Sequence, residues 1–154
     1  MNESIYKVHI VDHYYEGKST DNCKVIRNIT FGKELYEEIA NCFAVVVPLI
    51  DRNISAGQTV FIQAMMFGKP IIVTESNTIS EYVQDHVNGL VIKKDSEALQ
   101  KTMIELANNE KLYHDFSENA KKIYQKKFTR ERLGVNVGAI IAQINCSKIR
   151  YKKI

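Results

Sequence analysis

Residues 45 to 74, VVVPLIDRNISAGQTVFIQAMMFGKPIIVT, constrain the fold more than any other part of the chain. They continue an apolar run, Phe43 to Leu49, that is short and rich in β-branched residues. A run of that length and composition reads as a buried parallel strand rather than a helix. A polar loop, Ile50 to Ala56, follows. Thr59 to Phe67 is mostly apolar, long enough for a helix, and ends at Gly68, a favourable stop. Pro70 to Thr74 is then a second buried strand. Strand, helix and strand in this order define a crossover unit, which closes as a parallel pair.

The flanking sequence repeats this alternation. Tyr6 to Val11 and Cys23 to Ile29 read as strands, separated by the polar, turn-rich residues 12 to 22. Gly32 to Cys42 places Leu35, Ile39 and Cys42 on one helical face. Ser80 to His86 reads as a short helix, with Ser76 or Asn77 as its cap, and Gly89 to Ile92 as a fifth strand. Beyond Asp95 the pattern is helical: one helix capped by Ser96 and running to about Ala107, a second over Lys111 to Lys127, and a third over Thr129 to Asn145. The expected fold is α/β, a Rossmann-like parallel sheet of about five strands flanked by helices, with a helical C-terminal end. Residues 1–145 are expected to form a single domain and residues 146–154 a frayed basic tail.

The chain has 154 residues, 45% hydrophobic and 25% charged, which suits one soluble globular domain. No apolar run reaches the roughly 18 residues of a spanning helix, and the opening MNESIYKVHIVDHYYEG lacks the apolar core of a signal peptide. Three cysteines without paired spacing, Cys23, Cys42 and Cys146, indicate reduced thiols in a cytoplasmic setting and no zinc site. The four histidines have no nucleophile or carboxylate at a recognisable spacing. Charge is unevenly spread. Of the net +3, residues 121–154 carry +9, which leaves −6 for the first 120.

The candidate chemistry lies where the apolar strand ends. The loop after Pro48 leads into a helix that starts near Gly57, at the carboxyl edge of the sheet, where open α/β folds bind ligands. A helix N-terminus carries roughly half a positive charge and unbonded N–H groups, which suits a phosphate. Ser55, Ala56 and Gly57 are small enough for close approach to the backbone, and Gln58 and Thr59 form the first turn. Gln63 lies one to two turns further in, where its amide reaches a sugar hydroxyl. Lys69 follows the far end of the helix and serves the C-terminal dipole.

VVVPL, then SAGQTVFIQAMMFGKPIIVT, then EYVQDHVNGLVI resembles the donor-binding, C-terminal half of GT-B fold glycosyltransferases of the retaining, group 1 (family 4-like) bacterial type. The resemblance runs from about residue 23 to 130 and includes Gly68-Lys69-Pro70, Asn88-Gly89 and Asn119-Ala120. It implies a nucleotide-diphosphate sugar, UDP- or GDP-linked, as donor, with no metal or other cofactor. It implies that the residues at the family's two glutamate positions contact the donor sugar and the ribose. These positions hold Ser55 and Gln63, so neither is acidic here. It also implies base contacts by the Arg27-Asn28 turn and a donor-facing loop from Ser76 to Glu81. An N-terminal acceptor-binding domain or subunit is the implied partner, and the acceptor a glycan or lipid-linked species in surface polysaccharide synthesis. On this reading the chain alone is not expected to turn over.

Two other readings stand beside it. One is a non-catalytic partner subunit or stub that keeps the fold and mediates protein or membrane-surface contacts. The other is a receiver or flavodoxin-like module, which the absence of clustered acids at Pro48, Thr74 and Ile92 disfavours. The basic end suits an anionic membrane surface, at about 1 kcal/mol per Lys or Arg near an acidic leaflet, and so a peripheral position at the inner membrane surface. It carries no aromatic-basic pattern for nucleic acid.

Overall fold

The computed structural model describes residues 8–11, 16–27, 29, 32–50, 53 and 56–151, with side chains of the last helix described up to residue 144. The chain divides into two compact units, Met1–Glu38 and Ile39–Ile154.

The first unit contains β1 (Val8–Val11) and β2 (Cys23–Ile26), paired in parallel with His9 opposite Lys24. Helix α1 (Lys33–Asn41) begins in it and buries Leu35 and Ile39, four residues apart on one face. Glu38 lies over the β1–β2 pair. One carboxylate oxygen is 2.6 Å from His9 Nδ1 and the other 3.7 Å from Lys24 Nζ.

The second unit is built on β3 (Val45–Val47), β4 (Ile71–Thr74) and β5 (Gly89–Ile92), parallel in the order β3-β4-β5. Parallel strands form as expected, but in two hydrogen-bonded ladders of two and three strands rather than the single sheet of about five read from the sequence. β4 is central and wholly buried, which explains its unbroken apolar sequence. Its side chains alternate between two cores. Ile71 and Val73 join Phe61, Ala64 and Met65 of α2 (Gln58–Met66), whereas Ile72 joins Leu106 of α3 (Ser96–Asn108) and Phe116 of α4 (Glu110–Lys127). Ala120 of α4 reaches the first core. Helix α5 (Arg130–Tyr151) follows, and continues six residues beyond the expected end at Asn145.

Two dipeptides of the sequence acquire physical reasons. Gly89 sits so close to β4 that a Cβ would lie 2.2 Å from the Ile71 carbonyl oxygen. Asn88, fully buried, accepts from Gln84 N at 2.8 Å and donates to Tyr82 O at 2.9 Å. This corrects the expected helix over Ser80–His86. A single turn forms there, with Tyr82 N and Val83 N both donating to Ile79 O. The next amide, Gln84 N, is taken by the Asn88 side chain instead of a helical carbonyl, so the turn does not propagate. Ser76 caps no helix, since its hydroxyl accepts from Thr78 N within the same turn. The cap of α3 also moves by one residue. Asp95 in extended conformation accepts from Ala98 N, and Ser96 is the first helical residue.

Candidate functional site

The carboxyl ends of β3, β4 and β5 fall at Val47, Thr74 and Ile92. Beyond β3 the chain is held by β4 for two further residues. Leu49 N donates to Thr74 Oγ1, and the Thr74 hydroxyl donates back to Leu49 O. Thr74 is buried, and no sequence motif singled it out. The signal available was a lone hydroxyl closing an otherwise apolar buried strand. Across the same edge, Asn77 Nδ2 donates to Asn53 Oδ1 at 2.9 Å, joining the loop after β3 to the turn after β4.

α2 begins at the end of that loop. Gly57 adopts φ +80°, a left-handed conformation that a side chain resists, and a Cβ there would meet Phe61 Cζ at 3.0 Å and Val47 Cγ1 at 3.1 Å. The helical ladder begins with Phe61 N donating to Gly57 O at 2.9 Å, so the amides of the first turn face out of the helix end. At its other end Gly68, φ +63°, stops the helix, and Lys69 N closes it on Ala64 O.

The start of α2 differs from those of the other described helices. α1, α3, α4 and α5 carry Glu34, Glu97, Glu110 and Glu131 in their first turns. Asp95 and Asn109 cap α3 and α4 with side-chain oxygens. α2 has no acid in its first turn, and Gly57 supplies no side-chain cap. The partial positive charge of this helix end is thus not offset by an acid of its own first turn.

Gln63 lies six residues further on, about 9 Å along the helix axis from Gly57. Its Oε1 is buried and has no hydrogen-bond partner among the described residues. A buried carbonyl oxygen left unpaired is destabilising by about 1–3 kcal/mol, and such an exception calls for an explanation, a bound partner being one.

The expected site residues therefore separate. Ala56, Gly57, Gln58 and Thr59 come together at the start of α2, with Gln63 on the same helix. Glu81 is exposed in the turn after β4 and begins no helix. Arg27 follows β2 in the first unit, where its guanidinium donates to the Gly17 carbonyl. Ser55 and Asn28 lie outside the described residues. A shallow apolar cleft of about 210 Å³ opens along the same sheet edge, between Val47, Pro48, Thr74, Ile92 and the start of α3; no α2 residue lines it. Among the described residues no three His, Cys, Asp or Glu side chains converge as a metal site would need. No described helix is long and apolar enough to cross a membrane.

A parallel α/β unit with an exposed helix N-terminus at the carboxyl edge of its sheet defines the doubly wound class of ligand-binding domains. The family-level match places the chain within that class. The model of the glycosyl transferases group 1 family matches residues 9–123, and the chain belongs to that family. It is 30% identical over 137 residues to an uncharacterised glycosyltransferase of Methanocaldococcus jannaschii, covering 83% of this chain and 38% of that protein. It is 34% identical over 94 residues to the O-antigen chain mannosyltransferase C of Escherichia coli, covering 60% of this chain and 25% of that one. The chain thus spans well under half the length of these curated relatives. Its fold is that of sucrose-phosphate synthase from Thermosynechococcus elongatus (TM-score 0.69, 20% identity, 82% of this chain and 31% of that one). The same fold appears in Anabaena HepE, crystallised with UDP (TM-score 0.67, 18% identity, 80% and 33%). These are GT-B glycosyltransferases, and the fold class expected from the sequence is theirs.

Proposed function

We propose that the chain is the donor-binding part of a glycosyltransferase that moves a sugar from a nucleotide diphosphate to a glycan or lipid-linked acceptor of a surface polysaccharide, in the cytoplasm. The observation that carries the reading is the start of α2: no acid in its first turn, no side-chain cap from Gly57, and further along the same helix a Gln63 Oε1 unpaired among the described residues. The diphosphate belongs at the first-turn amides. As the bond between the sugar carbon and the diphosphate oxygen breaks, the leaving group takes the electron pair. Fixed N–H groups and the helix dipole then stabilise the growing charge. Gln63 Oε1 accepts a hydrogen bond from a ribose hydroxyl. Ala56, Gln58 and Thr59 line the approach, and Glu81 faces the donor sugar. The acceptor site belongs to a second, N-terminal domain or subunit. The UDP bound by HepE and the O-antigen chain in the name of the mannosyltransferase relative support this assignment.

The test is a calorimetric titration of the chain with UDP, GDP, ADP and CDP. Selective binding of one diphosphate, weakened by Gln63→Met, is the expected result. No binding by a chain whose circular dichroism shows it folded overturns the donor reading and leaves a non-catalytic partner subunit.

A further inference from the structure

Three positions in the stretch leading to α2 stand at even intervals of four residues: Leu49, Asn53 and Gly57. The first is held to β4 by the Thr74 hydroxyl. The second is held by Asn77, whose Nδ2 donates to Asn53 Oδ1 at 2.9 Å. The third is the left-handed residue from which α2 departs. Without the bond at Asn53, Gly57 could lie up to about 29 Å from the last fixed point of the chain; with it, the reach is about 14 Å at most.

Asn77 is a firm post for this bond. Two residues before it, Glu75 N donates to Ile92 O at 2.9 Å. Two residues after it, Ile79 is buried in the core that contains Phe61, Ala64 and Met65 of α2. Between them, Thr78 N donates to the Ser76 hydroxyl and tightens the turn. The two carboxamides themselves are exposed. A neutral hydrogen bond open to water contributes only modestly to folding, so the worth of this one lies in where it holds the chain. Amides that stabilise a leaving diphosphate act by being fixed before the charge develops, and those of the first turn of α2 are aimed by Gly57. We propose that Asn77, acting through Asn53, is a positioning residue for the start of α2 and for the diphosphate held there. The second half of this assignment rests on the reading that α2 receives the donor. The same bond ties that helix end to the turn carrying Glu81, so one pin sets both ends of the donor site.

The test is a double-mutant cycle on the full chain with Asn53→Ala, Asn77→Ala and both together. In the free chain, exchange of the Phe61 amide, which closes the first turn of α2 on Gly57 O, reports how firmly the helix start is held. Calorimetry reports the affinity for whichever of UDP, GDP, ADP and CDP the unaltered chain binds. Each single variant is expected to speed exchange at Phe61 and to weaken nucleotide binding about fivefold, with little movement of the urea midpoint. The double variant is expected to match the singles, because either change breaks the same bond. Unchanged Phe61 exchange, or unchanged affinity, in the single variants overturns the proposal. A loss of affinity confined to Asn77→Ala also overturns it, by making Asn77 a direct ligand contact. Losses that multiply in the double variant do the same, by making the two residues separate contacts. A folded chain that binds no diphosphate overturns the donor reading instead, and exchange at Phe61 then decides alone whether Asn77 positions the helix.

Discussion

One hydroxyl, that of Thr74, accepts from the amide of Leu49 at 2.7 Å and donates to the carbonyl of the same residue at 3.1 Å. Both residues are buried. A side chain thereby performs the backbone's role, extending the β3–β4 pairing past the last strand residue and setting where the loop toward Gly57 departs. Thr74→Val leaves Leu49 N and O without these partners. It is expected to lower the unfolding free energy by about 1–3 kcal/mol in urea titrations, whereas Thr74→Ser retains most of the stability.

The two ends of the glycine scale should separate sharply. Gly89→Ala places a Cβ 2.2 Å from the Ile71 carbonyl oxygen, inside the β4–β5 ladder. The expected cost is on the order of 3 kcal/mol or more, read as a large drop in thermal midpoint. Gly134→Ala meets nothing within 4 Å on an exposed helix and is expected to be stabilising by up to about 1 kcal/mol through helix propensity.

Gln63 offers a prediction in which stability and binding move in opposite directions. Gln63→Met is nearly isosteric and removes the unpaired Oε1. The free chain is expected to gain about 1 kcal/mol in denaturant melts, while its affinity for the nucleotide diphosphate falls. A variant that loses stability would show that the oxygen is already satisfied in the free chain, and with that remove the support that Gln63 lends the donor site.

Acid should act on the first unit through Glu38. The hydrogen bond from His9, with help from the His9 and Lys24 charges, holds this carboxyl below its ordinary value of 4.5, against a smaller opposing effect of burial. A lowered folded-state value means that the stabilisation is fully present above pH 4.5 and disappears as pH falls through the folded-state value. Glu38→Gln should therefore flatten the dependence of stability on pH below 4.5 and leave the neutral range with a constant offset. Denaturation midpoints measured across acid pH in both chains provide the check.

The crossover unit from Val45 to Thr74 was legible because burial on both faces of a central strand leaves a continuous apolar run, and because Gly68 and Pro70 punctuate the helix end. The family resemblance at Asn88-Gly89 and Asn119-Ala120 was legible as spacing, although its cause was not. Asn88 works as a staple for a turn, and Asn119 donates to Val87 O to tie α4 to the same turn. Ser80–His86 misled because its local composition favours a helix while a side chain four residues beyond Gln84 intercepts the amide. Asp95 and Ser96 are both good caps, and only the extended backbone of Asp95 distinguishes them. At the site, Gly57 could be read from the sequence, since few other residues enter a helix with positive φ. The roles of Thr74 and of the bond between Asn53 and Asn77 could not, because each joins positions more than twenty residues apart.

Helix α4 touches both sides of the central sheet, with Phe116 in one apolar layer and Ala120, one turn later, in the other. Neither layer can be opened without disturbing the helix that seals its neighbour. The sheet β3-β4-β5 with α2, α3 and α4 should accordingly behave as one cooperative foldon, with the amides of β4 exchanging with solvent only through global opening. A ligand held at the start of α2 would then slow hydrogen exchange in β5 and α3, on the face it never touches, as strongly as in α2 itself.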